Sequence, residues 1–161
     1  MTGTDLSRPA ARGWTAKDGE FADFMAARQA ALLRTAYLLT GDPVEARELA
    51  TSTLGKLNLA WAGVRSGEGA DVFLRRVMFR AHTSPWRRLG SSRRTAQHQT
   101  GGSDLWRAVG ALPARQRALV VLCHYEGLVE SEAAEVLGIS LKRATSLLAQ
   151  ARESLGVPAA A

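Results

Sequence analysis

Apolar residues recur along this chain at steps of three and four, the spacing of one face of a helix. Phe21, Phe24, Met25, Leu32, Ala36 and Leu39 follow it and predict a first helix from about Gly19 to Leu39, with Gly41 as its stop. Asp42, Pro43 and Glu45 then spell a helix start: a capping carboxylate, a proline suited to the first helical position, and a glutamate three after the cap. The stripe Ala50, Leu54, Leu57, Trp61 and Val64 continues that second helix as a long buried seam, closed by the Gly/Ser segment 65–70. A third helix is predicted from about Asp71 to Ser84, with Phe73, Val77 and Ala81 inward. Arg76 and Arg80, four apart, lie on another of its faces with Arg75 beside them. Pro85 ends or kinks it, since proline lacks the amide donor and clashes with the preceding turn.

Periodicity lapses between 89 and 102, where LGSSRRTAQHQTGG has the composition of a flexible linker. Beyond Ser103, Leu105, Trp106, Val109 and Leu112 form a short apolar face, and Pro113 restarts the chain. Residues 114–125 predict a further helix offering Leu119, Val120 and Leu122 to a core. Glu130–Leu137 and Leu141–Leu155 are then joined by Gly138-Ile139-Ser140. Two helices across a three-residue turn containing glycine, with Ser140 placed to cap the second, make a helix-turn-helix pattern, with an ordinary helical hairpin as the other reading. Ala133 and Ala134 are small enough for close helix approach, and Ala144, Leu148 and Ala151 face inward.

Composition agrees with an all-α fold: 28 alanines and 21 leucines stand against 11 isoleucines and valines among 161 residues. No apolar run is long enough to span a membrane, and the first 17 residues read as a loose tail without a secretory h-region. The single cysteine, Cys123, has no internal disulfide partner, and with three scattered histidines it makes a poor metal set. No metal or cofactor is expected. The net charge of +6 is unevenly placed. Residues 82–103 hold four arginines and no acid, whereas residues 104–161 are neutral overall. A basic stretch of this kind fits either a polyanion partner, most often nucleic acid, or a solvated linker.

Catalytic chemistry finds no foothold. Cys123 and His124 are adjacent on one predicted helix and point about 100° apart, too far for a nucleophile–base pair. His82 and His98 have no carboxylate at helical spacing, and Glu130, Glu132 and Glu135 read as a solvated acidic face. No glycine-rich loop follows a strand. The chain is expected not to be an enzyme and to have no small-molecule substrate.

The order of elements nevertheless resembles a known family. The stretch Ala31-Leu32-Leu33-Arg34-Thr35-Ala36-Tyr37-Leu38-Leu39-Thr40-Gly41-Asp42 is similar to the opening of region two in actinobacterial sigma factors of the extracytoplasmic-function group. The likeness continues through Phe73-Leu74-Arg75-Arg76-Val77 and Trp86-Arg87-Arg88. It resumes at Leu105-Trp106-Arg107-Ala108, at Ala111-Leu112-Pro113-Ala114-Arg115-Gln116-Arg117-Ala118 and at Ala133-Ala134-Glu135-Val136-Leu137-Gly138, which resemble region four. The resemblance implies two helical lobes, residues 18–88 and 103–157, joined by a flexible basic linker at 89–102.

What it implies for function is an alternative sigma factor, a cytoplasmic protein that binds core RNA polymerase and directs promoter recognition and transcription initiation. Glu45, Glu48, Leu49 and Leu54 match the polymerase-binding segment. Arg75, Arg76, Arg80, Trp86, Arg87 and Arg88 match the part that contacts and opens promoter DNA, where guanidinium groups neutralise phosphates and an aromatic ring stacks on an unpaired base. The last helix would enter the major groove with Lys142, Arg143, Ser146 and Gln150 outward.

Several positions depart from the family's pattern. Thr145, Leu147, Gln150 and Ser154 stand where relatives usually carry cations, which should weaken phosphate binding; Leu147 would expose an apolar side chain unless something covers it. Thr51 replaces a glutamine, Arg80 an asparagine, Pro85 an aromatic residue, and Val129 a capping serine. A second reading therefore stands beside the first. On it, the chain keeps the sigma fold but acts through protein–protein contacts, with polymerase, an anti-sigma factor or another regulator, and binds promoters weakly or not at all.

Overall fold

The computed structural model describes residues 16–64, 69–85 and 103–157, and among these there are helices and turns but no strand. The expected tail, the linker at 89–102, and Trp86, Arg87 and Arg88 lie outside the described residues, except that helix α1 already begins at Ala16. Among the described residues, no helix is long and apolar enough to cross a membrane.

Helices α1 (Ala16–Thr40) and α2 (Pro43–Val64) form an antiparallel pair. Leu32, Ala36 and Leu39 of α1 and Leu49, Leu54 and Leu57 of α2 are buried between them and the rest of the core. At the far end, Phe21 and Phe24 pack on Trp61 with ring centroids 5.2 and 5.3 Å apart. The turn between the helices is built as its residues dictate. Gly41 takes φ of +70°, and its amide closes on the Tyr37 carbonyl at 2.8 Å. Asp42 Oδ1 then accepts from the amides of Val44 at 2.8 Å and Glu45 at 2.9 Å, satisfying two of the open donors at the start of α2.

Helix α3 (Gly69–Thr83) corrects one expectation. Its buried side chains are Leu74, Met78, Phe79 and Thr83, while Phe73, Val77 and Ala81 are only half-buried. The buried arc is turned by about one residue, or 100°. The reason is tertiary: α3 is covered on one side by α2 and on another by the second half of the chain.

That second half comprises α4 (Asp104–Ala111), α5 (Ala114–Val120), α6 (Glu130–Leu137) and α7 (Leu141–Ser154). Helix α5 runs on into a π-helical turn, Val121–Tyr125, so the single helix expected over 114–125 widens at its end. Val121 and Leu122 of that turn are buried with Leu119, whereas Val120 is half-buried. Only Val109 and Leu112 of the expected α4 face are buried. Leu105 and Trp106, 58% and 48% exposed, line an open apolar groove with Leu38, Val120, Tyr125 and Leu155.

The helix-turn-helix is present. Ala133 and Ala134 are buried where α6 meets α7, and Gly138 ends α6 at φ of +67°. The Ile139 amide returns to the Ala134 carbonyl at 3.0 Å. Ser140 Oγ accepts from the Arg143 amide at 3.2 Å, capping α7 as its position predicts. Val129, before α6, has no side-chain acceptor, but the Glu132 carboxylate takes the Val129 amide at 3.1 Å and supplies the reciprocal half of a capping box. Both halves of the chain contribute to one continuous apolar core, from Leu32 and Leu57 through Phe79 to Leu119 and Leu148.

Candidate nucleic-acid interface

The outer face of α7 is polar and open. Lys142, Arg143, Ser146 and Gln150 are all exposed, while Ala144, Leu147, Leu148 and Ala151 turn into the core. Two cations stand on the first turn of a capped helix whose inward anchors are apolar, which leaves that turn free to meet a groove. Gln150 Oε1 accepts from Gln116 Nε2 at 3.1 Å, so α5 steadies that side chain. Thr145 Oγ1 donates to Glu130 Oε2 at 2.7 Å, and Arg152 lies 3.9 Å from Glu130 Oε1. Both contacts hold α7 at a set angle on the start of α6. Leu147 is not an exposed apolar residue: it is buried, and its departure from the family pattern adds core rather than removing a surface cation.

The arginines of α3 separate into two kinds. Arg76 is exposed. Arg75 and Arg80 cross to the second lobe. Arg75 meets Glu126 Oε2 at 3.3 Å, and Thr35 Oγ1 of α1 donates to the other carboxylate oxygen at 2.8 Å. Arg80 Nε donates to the Val136 carbonyl at 2.9 Å, and its terminal nitrogen donates to the Glu135 carbonyl at 3.2 Å. Those carbonyls end α6, where the helix dipole favours a cation. Trp86, Arg87 and Arg88, which would extend this surface, lie outside the described residues.

A third arginine crosses the other way, and neither charge nor spacing singled it out. Arg117 is buried; one guanidinium nitrogen donates to the Leu39 carbonyl at the end of α1 at 2.8 Å. Its other terminal nitrogen serves the carbonyls of Gly110 and Leu112. Burial pulls this guanidinium below its ordinary pKa, and the nearby Glu45 carboxylate opposes the shift. The only sequence signal was its place in Leu112-Pro113-Ala114-Arg115-Gln116-Arg117.

Of the residues matched to polymerase binding, Glu48 is on the surface, whereas Glu45, Leu49 and Leu54 are buried. Leu49 and Leu54 belong to the core, and Glu45 faces Arg117. On the outer side of α2, Glu48 shares a register with Ser52, Gly55 and Leu59, and Leu59 is 89% exposed. Among the described residues no cluster of three or more His, Cys, Asp or Glu could hold a metal.

Residues 103–155 match the family model for sigma-70, region 4. The RNA polymerase sigma-E factor of Streptomyces antibioticus is 35% identical over 145 residues, covering 82% of this chain and 80% of that protein. The sigma-E factor of Streptomyces coelicolor is 34% identical over 145 residues, covering 82% and 81%. In fold, the chain is similar to the sigma factor RpoE in its complex with the anti-sigma factor NepR from Bartonella quintana. That likeness has a TM-score of 0.65 at 22% identity and covers 84% of this chain and 94% of the other. With a helix-turn-helix where region four requires it and sigma-E relatives matched along four-fifths of their length, the chain belongs to the RNA polymerase sigma factors, as an alternative sigma factor of the extracytoplasmic-function group.

Proposed function

We propose that this sigma factor works in the cytoplasm, catalyses nothing itself, and divides its labour between residues 18–88 and 103–157. The outer side of α2, around Glu48 and the protruding Leu59, docks on core polymerase, since small residues at Thr51, Ser52 and Gly55 let a partner helix approach closely. Leu49 and Leu54 support that face from the core. Arg76, with Arg87, Arg88 and Trp86 beyond it, meets the edge of the opening promoter. Arg75 and Arg80 join them once released from the second lobe. Lys142, Arg143, Ser146 and Gln150 read the duplex element from the major groove.

The observation that carries this reading is the free outer face of α7, cationic at its first turn and held by apolar anchors on its inner side. The test is a titration of labelled full-length protein with core RNA polymerase from an actinobacterium, followed by fluorescence anisotropy. Saturable binding that a known sigma factor displaces supports the reading. No binding at micromolar concentrations overturns it.

A second reading has its own support. Thr145, Gln150 and Ser154 stand uncharged on the exposed side of α7, so that helix presents fewer free cations than its family pattern supplies. On this reading the chain acts chiefly through protein contacts. A structural relative is held by an anti-sigma factor, NepR, and a regulator of that kind would be the partner here.

A further inference from the structure

A groove of about 380 Å³ opens between α4, the π-helical turn and the C-terminal end of α7, and Leu38 of α1 reaches it. Val109 and Val121 are buried at its base, while Leu105, Trp106, Tyr125 and Val157 stand about half exposed at its rim. Apolar side chains gathered in this way gain by leaving water, and among the described residues nothing covers them. The volume and the lining are those of a small-molecule site, concave and mostly apolar with a few polar groups. Those polar groups share one character. His124, Tyr125 and Arg152 line the groove, all three can donate hydrogen bonds, and no carboxylate lines it. Arg152 has donors to give: its neighbour Glu130 lies 3.9 Å away, longer than a hydrogen bond.

An apolar trough with a cation and neutral donors at its edge complements a ligand that is apolar along its length and anionic at one end. We infer that this groove binds a free single-chain fatty carboxylate, whose acyl tail lies along Leu105, Trp106 and Val121 and whose head group is taken by Arg152. A carboxylate can meet the guanidinium with two parallel charge-assisted bonds, which the distant Glu130 does not. A neutral alcohol of equal length forgoes those bonds, and an alkylammonium sets its charge against Arg152. The ligand is held and not transformed, since no nucleophile–base pair lines the groove. Helices α1, α4 and α7 and the π-helical turn all contribute lining, so an occupied groove braces all four. A ligand that binds only the folded chain then raises its melting temperature by mass action.

The test is isothermal titration calorimetry of the full chain with saturated acids from hexanoate to tetradecanoate, each below its micelle concentration. Affinity should tighten about two- to fourfold per added methylene until the groove is filled, and then level off. Decanol should bind about tenfold more weakly than decanoate. Arg152→Gln should bring decanoate down to the level of the alcohol and leave the alcohol unchanged, while Arg152→Lys keeps part of the difference. Leu105→Gln, at an exposed position, should weaken acid and alcohol alike by about three- to tenfold without loss of the fold. Val72→Gln, exposed on α3 and outside the groove, should bind as the parent does. Decanoate should also raise the melting temperature. Absence of saturable binding by every acid would overturn the inference and leave the groove to an apolar helix of a protein partner. Alcohol bound as tightly as acid would remove the anionic head. Affinity that climbs without levelling and ignores Leu105→Gln, or a lowered melting temperature, would show detergent action instead. Capture by phosphatidylglycerol vesicles without binding of free acid would assign the surface to a membrane, which also overturns it.

Discussion

Arg117 donates to the Leu39 carbonyl at 2.8 Å across 78 residues of sequence, tying the last turn of α1 to the start of α5. A guanidinium is suited to this position because its planar fork serves acceptors from two segments at once, here Leu39 on one side and Gly110 and Leu112 on the other. The carbonyls it caps would be left buried and unpaired without it.

Replacing Arg117 with methionine should therefore cost stability rather than affinity. The loss is about 2–4 kcal/mol, combining orphaned carbonyls with a Glu45 carboxylate deprived of its neighbouring charge. Urea denaturation followed by circular dichroism checks it through a lowered midpoint. An unchanged midpoint would mean that water replaces the guanidinium at no cost.

The Arg28–Asp71 pair makes a pH-dependent prediction. Arg28 meets Asp71 with two contacts, at 2.8 and 3.0 Å, and the hydrogen bond from Arg28 holds the Asp71 carboxyl below the usual carboxylate range. A carboxyl depressed on folding stabilises above its unfolded value, about pH 4, and that contribution disappears as pH falls through the folded value. The stability difference between the parent and Asp71→Asn should thus be present at pH 7 and shrink toward zero as the solution is acidified below pH 4. Both side chains are about half exposed, so added salt should also shrink it. Parallel denaturation curves across pH would show the convergence, and a constant difference would contradict it.

On α7, Lys142→Ala with Arg143→Ala should weaken duplex binding and flatten its dependence on salt. Each phosphate that is no longer neutralised lowers the slope of log affinity against log salt by about 0.9. Melting temperature should move little, because both side chains are exposed. Anisotropy titrations at several salt concentrations measure the slope, and a slope equal to the parent's would turn this face of α7 away from DNA.

Adding cations to α7 should divide by position. Thr145→Lys and Gln150→Arg stand on the exposed face and are expected to raise duplex affinity and steepen the salt slope. Leu147→Arg is expected instead to destabilise the fold by about 2–5 kcal/mol, because that side chain is buried and a charge there has no partner. Thermal melts of the three variants separate the two outcomes. A Leu147→Arg protein as stable as the parent would mean that α7 can roll on the core.

Local signals in the chain carried far. The Asp42-Pro43 start of α2, the stop at Gly41, and the Gly138-Ile139-Ser140 turn are each set by a few residues whose backbone preferences and side-chain acceptors act on their own neighbours. Periodicity likewise placed Leu32, Ala36 and Leu39, and Ala144, Leu148 and Ala151, on buried faces. It misjudged α3 and α4 because a helix pattern shows which residues are apolar, not how many neighbours will cover them. Helix α3 is covered from two sides, so its buried arc turned to Leu74, Met78 and Phe79. Helix α4 is covered from one, so Leu105 and Trp106 stayed in the open.

Helix boundaries, the helix-turn-helix, the basic stretch and the family were thus determined by sequence alone, since each depends on residues close together or on a motif read in order. The fates of the arginines were decided only by the tertiary structure. Arg75, Arg76, Arg80 and Arg117 look alike along the chain, yet Arg76 stays on the surface, Arg75 and Arg80 cross to the second lobe, and Arg117 is buried as it reaches back to the first. A guanidinium goes where acceptors are, and its acceptors here, Glu126, the end of α6 and the Leu39 carbonyl, lie 51 to 78 residues away and meet it only when the lobes pack.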